Sequence, residues 1–424
     1  MQRQSVNQVA LLSCAEDRPG RTTPTAVEDV PRLVRDLVDV VEGVVPLPVA
    51  RSAGWTLATD LVAAEPLPPF DQSAVDGFAF SGIPDADGAP LAGVVRAGDA
   101  LRPLPPGGAL RVMTGAPVPF GADRVAMQEQ CQRSGERVFP PPLVAGANVR
   151  RRGEDVAPGD LLARAGTRLD ARHVALFAAA GHVTVPCLRP LRVAVLATGD
   201  ELSDRPSVAP SSGLIRDSNT PMLVALLTSA PDLDVQCLRC RDDAEVLTER
   251  LRALSLAVDL IITTGGMSFG IEDHVRAAVF RLGGKFGIAG VAMKPGKPVG
   301  LARLGNAVLL GLPGNPFAAL ASFVVVGREV LARLRGRPAS GHVQAARSGF
   351  ELDRRPGRTE FFPARVSNRG ADGAPVLDRL GKGGSARLAP LVAADGLGLI
   401  AAGCVRVEVG DGMGFLPFNE LLAP

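Results

Sequence analysis

Val258-Asp-Leu-Ile-Ile-Thr-Thr-Gly-Gly-Met-Ser-Phe-Gly270 runs an apolar segment straight into a glycine turn, and its surroundings decide the fold. The run at 258–264 reads as a strand. Working outward, 191–197 is an apolar run broken only by Arg192, 233–240 alternates as a strand should, and 299–301 and 308–312 are further short strands. Helical spacing recurs between them at 220–229, 244–254, 273–282 and 317–335. Strands alternating with helices at this spacing predict a doubly wound, mostly parallel α/β sheet domain over 189–336, covered on both faces. Ligands of such a sheet lie outside the carboxyl ends of its strands.

Four loops should therefore share one rim: Thr198-Gly-Asp-Glu201, Arg241-Asp-Asp243, Thr264-Gly-Gly-Met-Ser-Phe-Gly270 and Leu312-Pro-Gly-Asn-Pro316. Their glycines, Gly265 and Gly266 among them, permit close backbone approach to a phosphate, and Glu201, Asp242 and Asp273 suit a divalent cation held against phosphate oxygens. Each acid also has a structural reading. Asp242 or Asp243 can cap the helix from Ala244, and Asp273 stands in the first turn of its own helix, where a carboxylate is favoured anyway.

Only four lysines occur in the chain, and Lys294 and Lys297 sit three apart in Met293-Lys-Pro-Gly-Lys-Pro298. The prolines and glycine make this a stiff turn. A compact ammonium suits a small tetrahedral oxyanion better than a planar carboxylate, although a rigid turn with two solvated lysines is the plainer alternative. The following strand enters a second Pro/Gly turn and a helix near Phe317, a place where backbone N–H groups can face an anion.

The remaining chain is organised differently. Residues 24–60 read as helical from Val27, Val30, Leu33, Val34, Leu37, Val38 and Val41, and a second helix is expected at 170–180. Together, 24–60 and 160–188 are expected to form a discontinuous N-terminal helical layer, interrupted by an all-β insertion at 61–159 where short apolar segments alternate with Gly/Pro clusters. A polar break near 336–341 precedes a small C-terminal β-barrel domain at 337–424, with strands expected at 359–366, 398–401 and 404–409. Residues 1–23 read as a loose arm, too weakly apolar for an export signal.

Composition removes several function classes. A net charge of +2, one Trp and no Tyr give no footprint for nucleic acid. No run approaches the roughly 20 apolar residues needed to cross a bilayer. The six cysteines are dispersed, which fits a reducing cytoplasm better than a disulfide framework. Cys237 and Cys240 lie three apart on a strand and so face opposite ways, which favours ordinary buried thiols over a metal pair.

Seven motifs in order make the chain resemble the molybdopterin molybdenumtransferases of molybdenum cofactor biosynthesis, the family whose animal relative forms the C-terminal part of gephyrin. They are Pro68-Pro-Phe-Asp-Gln-Ser-Ala-Val-Asp-Gly-Phe-Ala79, Arg111-Val-Met-Thr-Gly-Ala-Pro-Val-Pro119, Asn148-Val-Arg-Arg-Arg-Gly-Glu-Asp155, Thr198-Gly-Asp-Glu-Leu202, Thr264-Gly-Gly-Met-Ser-Phe-Gly270, Lys294-Pro-Gly-Lys-Pro298 and Leu312-Pro-Gly-Asn-Pro316. The likeness runs from about residue 24 to the end.

The resemblance implies insertion of molybdenum from molybdate into adenylylated molybdopterin, with release of AMP. It makes molybdopterin a substrate rather than a tightly bound cofactor, and gives Glu201 and Asp242 a Mg²⁺ ion. Gly265, Gly266, Ser268, Lys294, Lys297, Pro313, Pro316 and Ser385 would then bind substrate oxygens, with Asp273 positioning ligand on the same rim. Asp76 and Asp155, with Thr114 and Arg150 beside them, match acidic positions of a composite site shared across a homodimer; a turn aspartate before Gly77 is the plain reading of Asp76. A transient contact with molybdopterin adenylyltransferase is also implied.

Phe78, Gly290, Pro363 and Ala389-Pro390 depart from the family pattern. Tyrosine is usual at 78 and a basic residue frequent at 290. Arginine is common at 363, with Arg365 the open substitute. The alternatives are an adenylyltransferase, which would resemble the sheet domain alone, and a non-enzymatic scaffold that keeps the fold.

Overall fold

The computed structural model describes residues 23–203, 213–267, 274–338 and 343–421. These fall into two units, one of Val44–Cys187 and one of the chain up to Gly43 together with that from Leu188. In the larger unit a six-stranded sheet runs in the order Leu233–Cys240, Leu191–Thr198, Leu260–Thr264, Ala307–Leu312, Gly300–Leu304, Lys285–Ile288. The first four strands are parallel and the last two antiparallel to their neighbours.

The apolar runs follow from burial of both sheet faces. Val193, Val195, Leu260, Ile262, Val308 and Leu310 pack with Leu223, Leu227 and the helix from Pro316 on one side. Ala194, Leu196, Ile261 and Leu309 pack with Leu247, Leu251, Val275 and Val279 on the other. Alternate residues of Leu260–Thr264 and Ala307–Leu312 thus feed opposite cores and leave no polar face, whereas the edge strand Leu233–Cys240 keeps exposed polar residues. The helix from Pro316 continues through a π-turn at Phe323–Gly327 to Leu334. The edge strand Lys285–Ile288, too short and polar to read in advance, pairs with a register shift.

Residues 24–60 do not form the long helix expected. The helix is confined to Val30–Leu37, and Val44–Pro48 is a strand. Gly43 at φ 114° and Pro46 and Pro48 end any helical continuation. Val30, Val34 and Val38 insert into the core that also holds Leu191 and Ile288, so this helix belongs with the sheet, whereas the helix Ala171–Ala179 lies in the other unit.

That other unit carries a six-stranded sheet in the order Arg124–Met127, Gly77–Phe80, Ala109–Val112, Ala89–Val95, Arg137–Phe139, Gln132–Ser134. Asp170 caps the helix Ala171–Ala179 by accepting from the amides of Arg172 and His173. Phe78 is buried in the sheet, where a ring suffices.

In the C-terminal region five strands close on themselves. Thr359–Arg369 pairs with both Pro375–Arg379 and Gly396–Ile400, and Gln344–Ser348 and Gly412–Pro417 complete the ring. Residues 404–409 contribute only Arg406–Val407, paired with Leu352–Asp353. Of the arm expected at 1–23, all but residue 23 lies outside the described residues. No helix among the described residues is long and apolar enough to cross a membrane.

One buried carboxylate anchors the amino end of the sheet. Asp259 accepts from both terminal nitrogens of Arg189 at 2.7 and 2.9 Å, and from the amide and Nη2 of Arg192 at 2.9 and 2.8 Å. Burial opposes its charge, yet the two guanidinium groups hold its carboxyl well below the usual range. Its contribution is therefore present above the unfolded value of about 3.9 and is lost as pH falls towards the folded one. Asp259→Asn should cost about 2–4 kcal/mol in urea unfolding at pH 7, and the difference from wild type should shrink below about pH 4. A difference that does not change with pH would contradict this role.

Candidate functional site

In-register parallel pairing brings the strand ends together. Thr198 lies opposite Cys240, Ala197 opposite Thr264, and Thr264 opposite Leu312. The loops that follow are tied to one another. The Gly265 amide donates to Leu312 O at 3.1 Å, Thr198 Oγ1 to Thr264 O at 3.2 Å, and Asn219 Nδ2 to Gly314 O at 2.7 Å. Glycine is required at two of these turns. Gly265 has φ 93°, and a Cβ there would stand 2.9 Å from Thr198 O; at Gly199, φ 139°, it would stand 2.5 Å from Glu201 Oε2.

Glu201, Asp242, Gly265 and Gly266 thus share the carboxyl edge of the sheet, as expected. Ser268 and Asp273 lie outside the described residues. Asp242 does not cap the helix from Ala244; Asp243 does, accepting from the amides of Glu245 and Val246 at 2.9 Å. Burial, then the neighbouring carboxylates of Glu201 and Asp200, push the Asp242 carboxyl up. Negative charge is thus gathered at Asp242 with no cap to repay it. Among the described residues no group of three metal-ligating side chains is complete.

The lysine turn lies in the same unit, where the sheet meets the barrel. Met293–Lys294 pairs in parallel with Thr359 and Glu360, the start of a barrel strand. Gly296, φ 107°, sits so close to the helix from Pro316 that a Cβ would lie 2.5 Å from Ser322 Oγ, which itself donates to Gly296 O. The stiffness expected from Pro-Gly-Lys-Pro is thereby fixed against a helix. Gly290 is held at φ 140°, with its carbonyl accepting from Thr25, a conformation that disfavours a basic side chain there.

A cavity of about 560 Å³ opens beside this turn. Lys294, Lys297, Pro313 and Ser385 line it; Pro316 does not, and opens the adjacent helix at its first position. Lys382 lines it too, so three of the four lysines in the chain meet here. Arg358, Arg379 and Arg387 add positive charge, against the single carboxylate of Glu360. An electropositive recess of this kind favours a small anion.

The helix amides behave differently from expectation. Phe317 N and Ala318 N donate to Ser385 O at 3.0 and 3.3 Å, and Asn315 Nδ2 donates to Ser385 Oγ at 3.0 Å. A barrel loop therefore takes the free amides that an anion was expected to use, and it carries Ser385 to the cavity wall. Lys382, Arg379 and Glu360 were missed; the scarcity of lysine is the signal that would have found Lys382.

The second set of acids lies in the Val44–Cys187 unit. Asp76 Oδ1 accepts from the Thr114 amide at 2.7 Å and its hydroxyl at 2.8 Å, contacts that hold its carboxyl below the ordinary range. Arg150 Nε donates to Glu154 at 2.9 Å, and Asp155 is exposed next in sequence, its amide bonded to Leu67 O. Cys240 is the buried thiol expected but Cys237 is exposed, on the outer edge strand, and neither belongs to any metal cluster of described residues.

Comparison with known proteins agrees along nearly the whole chain. The MoeA N-terminal region (domain I and II) matches residues 25–181, a probable molybdopterin binding domain 194–333, and the MoeA C-terminal region (domain IV) 345–418. The molybdopterin molybdenumtransferase of Haemophilus influenzae is 36% identical over 68% of this chain and 72% of its own length. Molybdopterin molybdenumtransferase 1 of Mycobacterium tuberculosis is 30% identical over 86% of this chain and 92% of its own. The crystal structure of the molybdopterin biosynthesis MoeA protein of Pyrococcus horikoshii superposes with a TM-score of 0.77 at 25% identity, covering 93% of this chain and 100% of that one. The chain belongs to the molybdopterin molybdenumtransferase family of enzymes.

Proposed function

We propose that this protein transfers molybdenum from molybdate to the dithiolene of adenylylated molybdopterin, cleaving the phosphoanhydride bond and releasing AMP. The observation that carries the reading is the gathering of three of four lysines in one cavity, beside Ser385 and on the same unit as a glycine-lined sheet edge. Two anions of different shape thereby find two different environments. Lys294 and Lys297 present point charges to a tetrahedral oxyanion. The diphosphate is assigned to the rim that carries the Gly199 and Gly265 turns, and Ser268 and Asp273 are assigned to the same rim.

Glu201 and Asp242 fit a Mg²⁺ ion, because that ion commonly binds through one or two carboxylates and completes its shell with water and substrate phosphate. The elevated Asp242 carboxyl, crowded by Glu201 and Asp200, is the kind of uncompensated charge such an ion would relieve. Bound there, the ion would draw charge from the departing phosphate oxygen. Asp76, Asp155, Thr114 and Arg150 are assigned to the second half of the site, in the homodimer that the resemblance implies. The reaction is assigned to the cytoplasm, with passing contact to the adenylyltransferase that supplies the substrate.

Asp242→Asn should reduce AMP release at least about a hundredfold. Because the carboxyl is raised, its ionised form opposes folding at neutral pH, so the variant's melting temperature should be equal to or slightly above that of wild type. Near-normal turnover would remove the metal assignment. Lys297→Ala should raise the molybdate concentration for half-maximal rate about tenfold or more, with nucleotide affinity unchanged; an unaltered molybdate dependence would remove the oxyanion assignment. Production of adenylylated molybdopterin from ATP and molybdopterin would favour the adenylyltransferase instead.

A further inference from the structure

Among the described residues Glu360 is the only carboxylate lining the cavity, and it answers three cations at once. Its side chain is 3% exposed; Oε1 accepts from Arg379 Nη2 at 2.8 Å and faces Lys294 Nζ at 3.3 Å, while Oε2 accepts from Arg354 Nε at 3.3 Å. Burial alone would push this carboxyl up, but Arg379 and Lys294 outweigh it and keep it ionised below the usual range. One negative charge cannot neutralise three positive ones, so the cluster retains positive charge around a buried carboxylate, with Lys294 at its exposed side.

The three cations are not equivalent. Arg354 is 4% exposed and its terminal nitrogens are committed to the carbonyls of Ala401, Cys404 and Arg358, so it is structural. Lys294 reaches Glu360 from the mobile end of a flexible stem. Arg379 is 19% exposed, has Glu360 as its hydrogen-bonded acceptor, and lies over the Phe362 ring at 5.5 Å. Its Nη1 has no hydrogen-bond partner among the described residues, although the atom is buried. That atom is shielded from the cavity, so it is the exposed part of the Arg379 side chain that a ligand in the cavity can reach.

Position 363 sharpens the question, because proline stands there and brings no charge. Arg365 does not replace it, since its Nη2 donates to Ala393 O at 3.2 Å and it does not line the cavity. Arg379 comes from the adjacent strand, where it pairs with Ala364, and the next residue's amide, that of Leu380, donates to Pro363 O at 2.9 Å. The guanidinium is therefore delivered to the cavity from across the strand pair.

We infer that Arg379 is an oxyanion-binding residue of this cavity, held in place by Glu360 and Phe362 and supplying the charge that Pro363 cannot. This rests on the assignment of molybdate to the cavity. The bound oxyanion would accept from the guanidinium while Lys297 and Ser385 contact its other oxygens, the usual advantage of a preset planar donor over a flexible ammonium.

The test follows AMP release against molybdate concentration for the full chain with adenylylated molybdopterin, alongside melting temperature and nucleotide affinity. Arg379→Gln should raise the molybdate KM roughly tenfold or more, with nucleotide affinity unchanged, and Arg379→Lys should recover part of the loss. Arg365→Gln should match wild type. Glu360→Gln/Arg379→Gln removes both members of the 2.8 Å pair, and although Arg354 and Lys294 then lose their carboxylate and the melting temperature should fall, the raised KM should persist. A double variant with wild-type molybdate KM would reduce Arg379 to a counter-ion for Glu360 and overturn the inference. If Arg379→Gln keeps the wild-type KM while Lys297→Ala raises it, this inference fails and the molybdate reading stands. If neither substitution alters the molybdate dependence, both fail.

Discussion

Parallel pairing in register, with Thr198 against Cys240 and Thr264 against Leu312, is the constraint on which the site depends. It ends three parallel strand pairs at one level, so that glycine turns and carboxylates hundreds of atoms apart along the chain must open on one edge. A slip by one residue would exchange the two cores, sending Val193 and Val195 to the face now filled by Ala194 and Leu196. The apolar packing that stabilises the sheet therefore also fixes where its polar loops can point. Function here is a by-product of burial on both faces.

Charge is arranged by opposite means at the two ends of this site. At the sheet edge, burial and then the neighbouring acids raise Asp242. At the junction with the barrel, cations outnumber the single carboxylate of Glu360. Each region is electrostatically incomplete in the protein alone, and each is complementary to what the other would repel. A cation belongs at the first and a compact anion at the second, a division that suits a reaction bringing a metal oxyanion to a substrate whose nucleotide phosphoanhydride is cleaved.

Much of this was legible beforehand, and the remainder divides along physical lines. The largely apolar runs at 191–197 and 258–264, whose only charged residues are Arg192 and Asp259, announced a sheet buried on both faces, and the Lys294/Lys297 spacing announced a stiff cationic turn. What escaped depended on register between strands distant in sequence. Glu360 and Arg379 meet only because Thr359–Arg369 pairs with Pro375–Arg379 and with the lysine turn, and no local pattern encodes that. Ser385 capping the helix from Pro316 is likewise a tertiary contact. The valine spacing in 27–41 was real, but Gly43, Pro46 and Pro48 overrode its extension, and its apolar face had a different partner from the one expected.

The most direct measurement is anomalous diffraction at the molybdenum edge from crystals of the protein soaked in molybdate. The account predicts a single strong peak inside the cavity, within contact distance of Lys297, Ser385 and Arg379. A peak at the glycine edge beside Glu201 and Asp242, with the cavity empty, would contradict it.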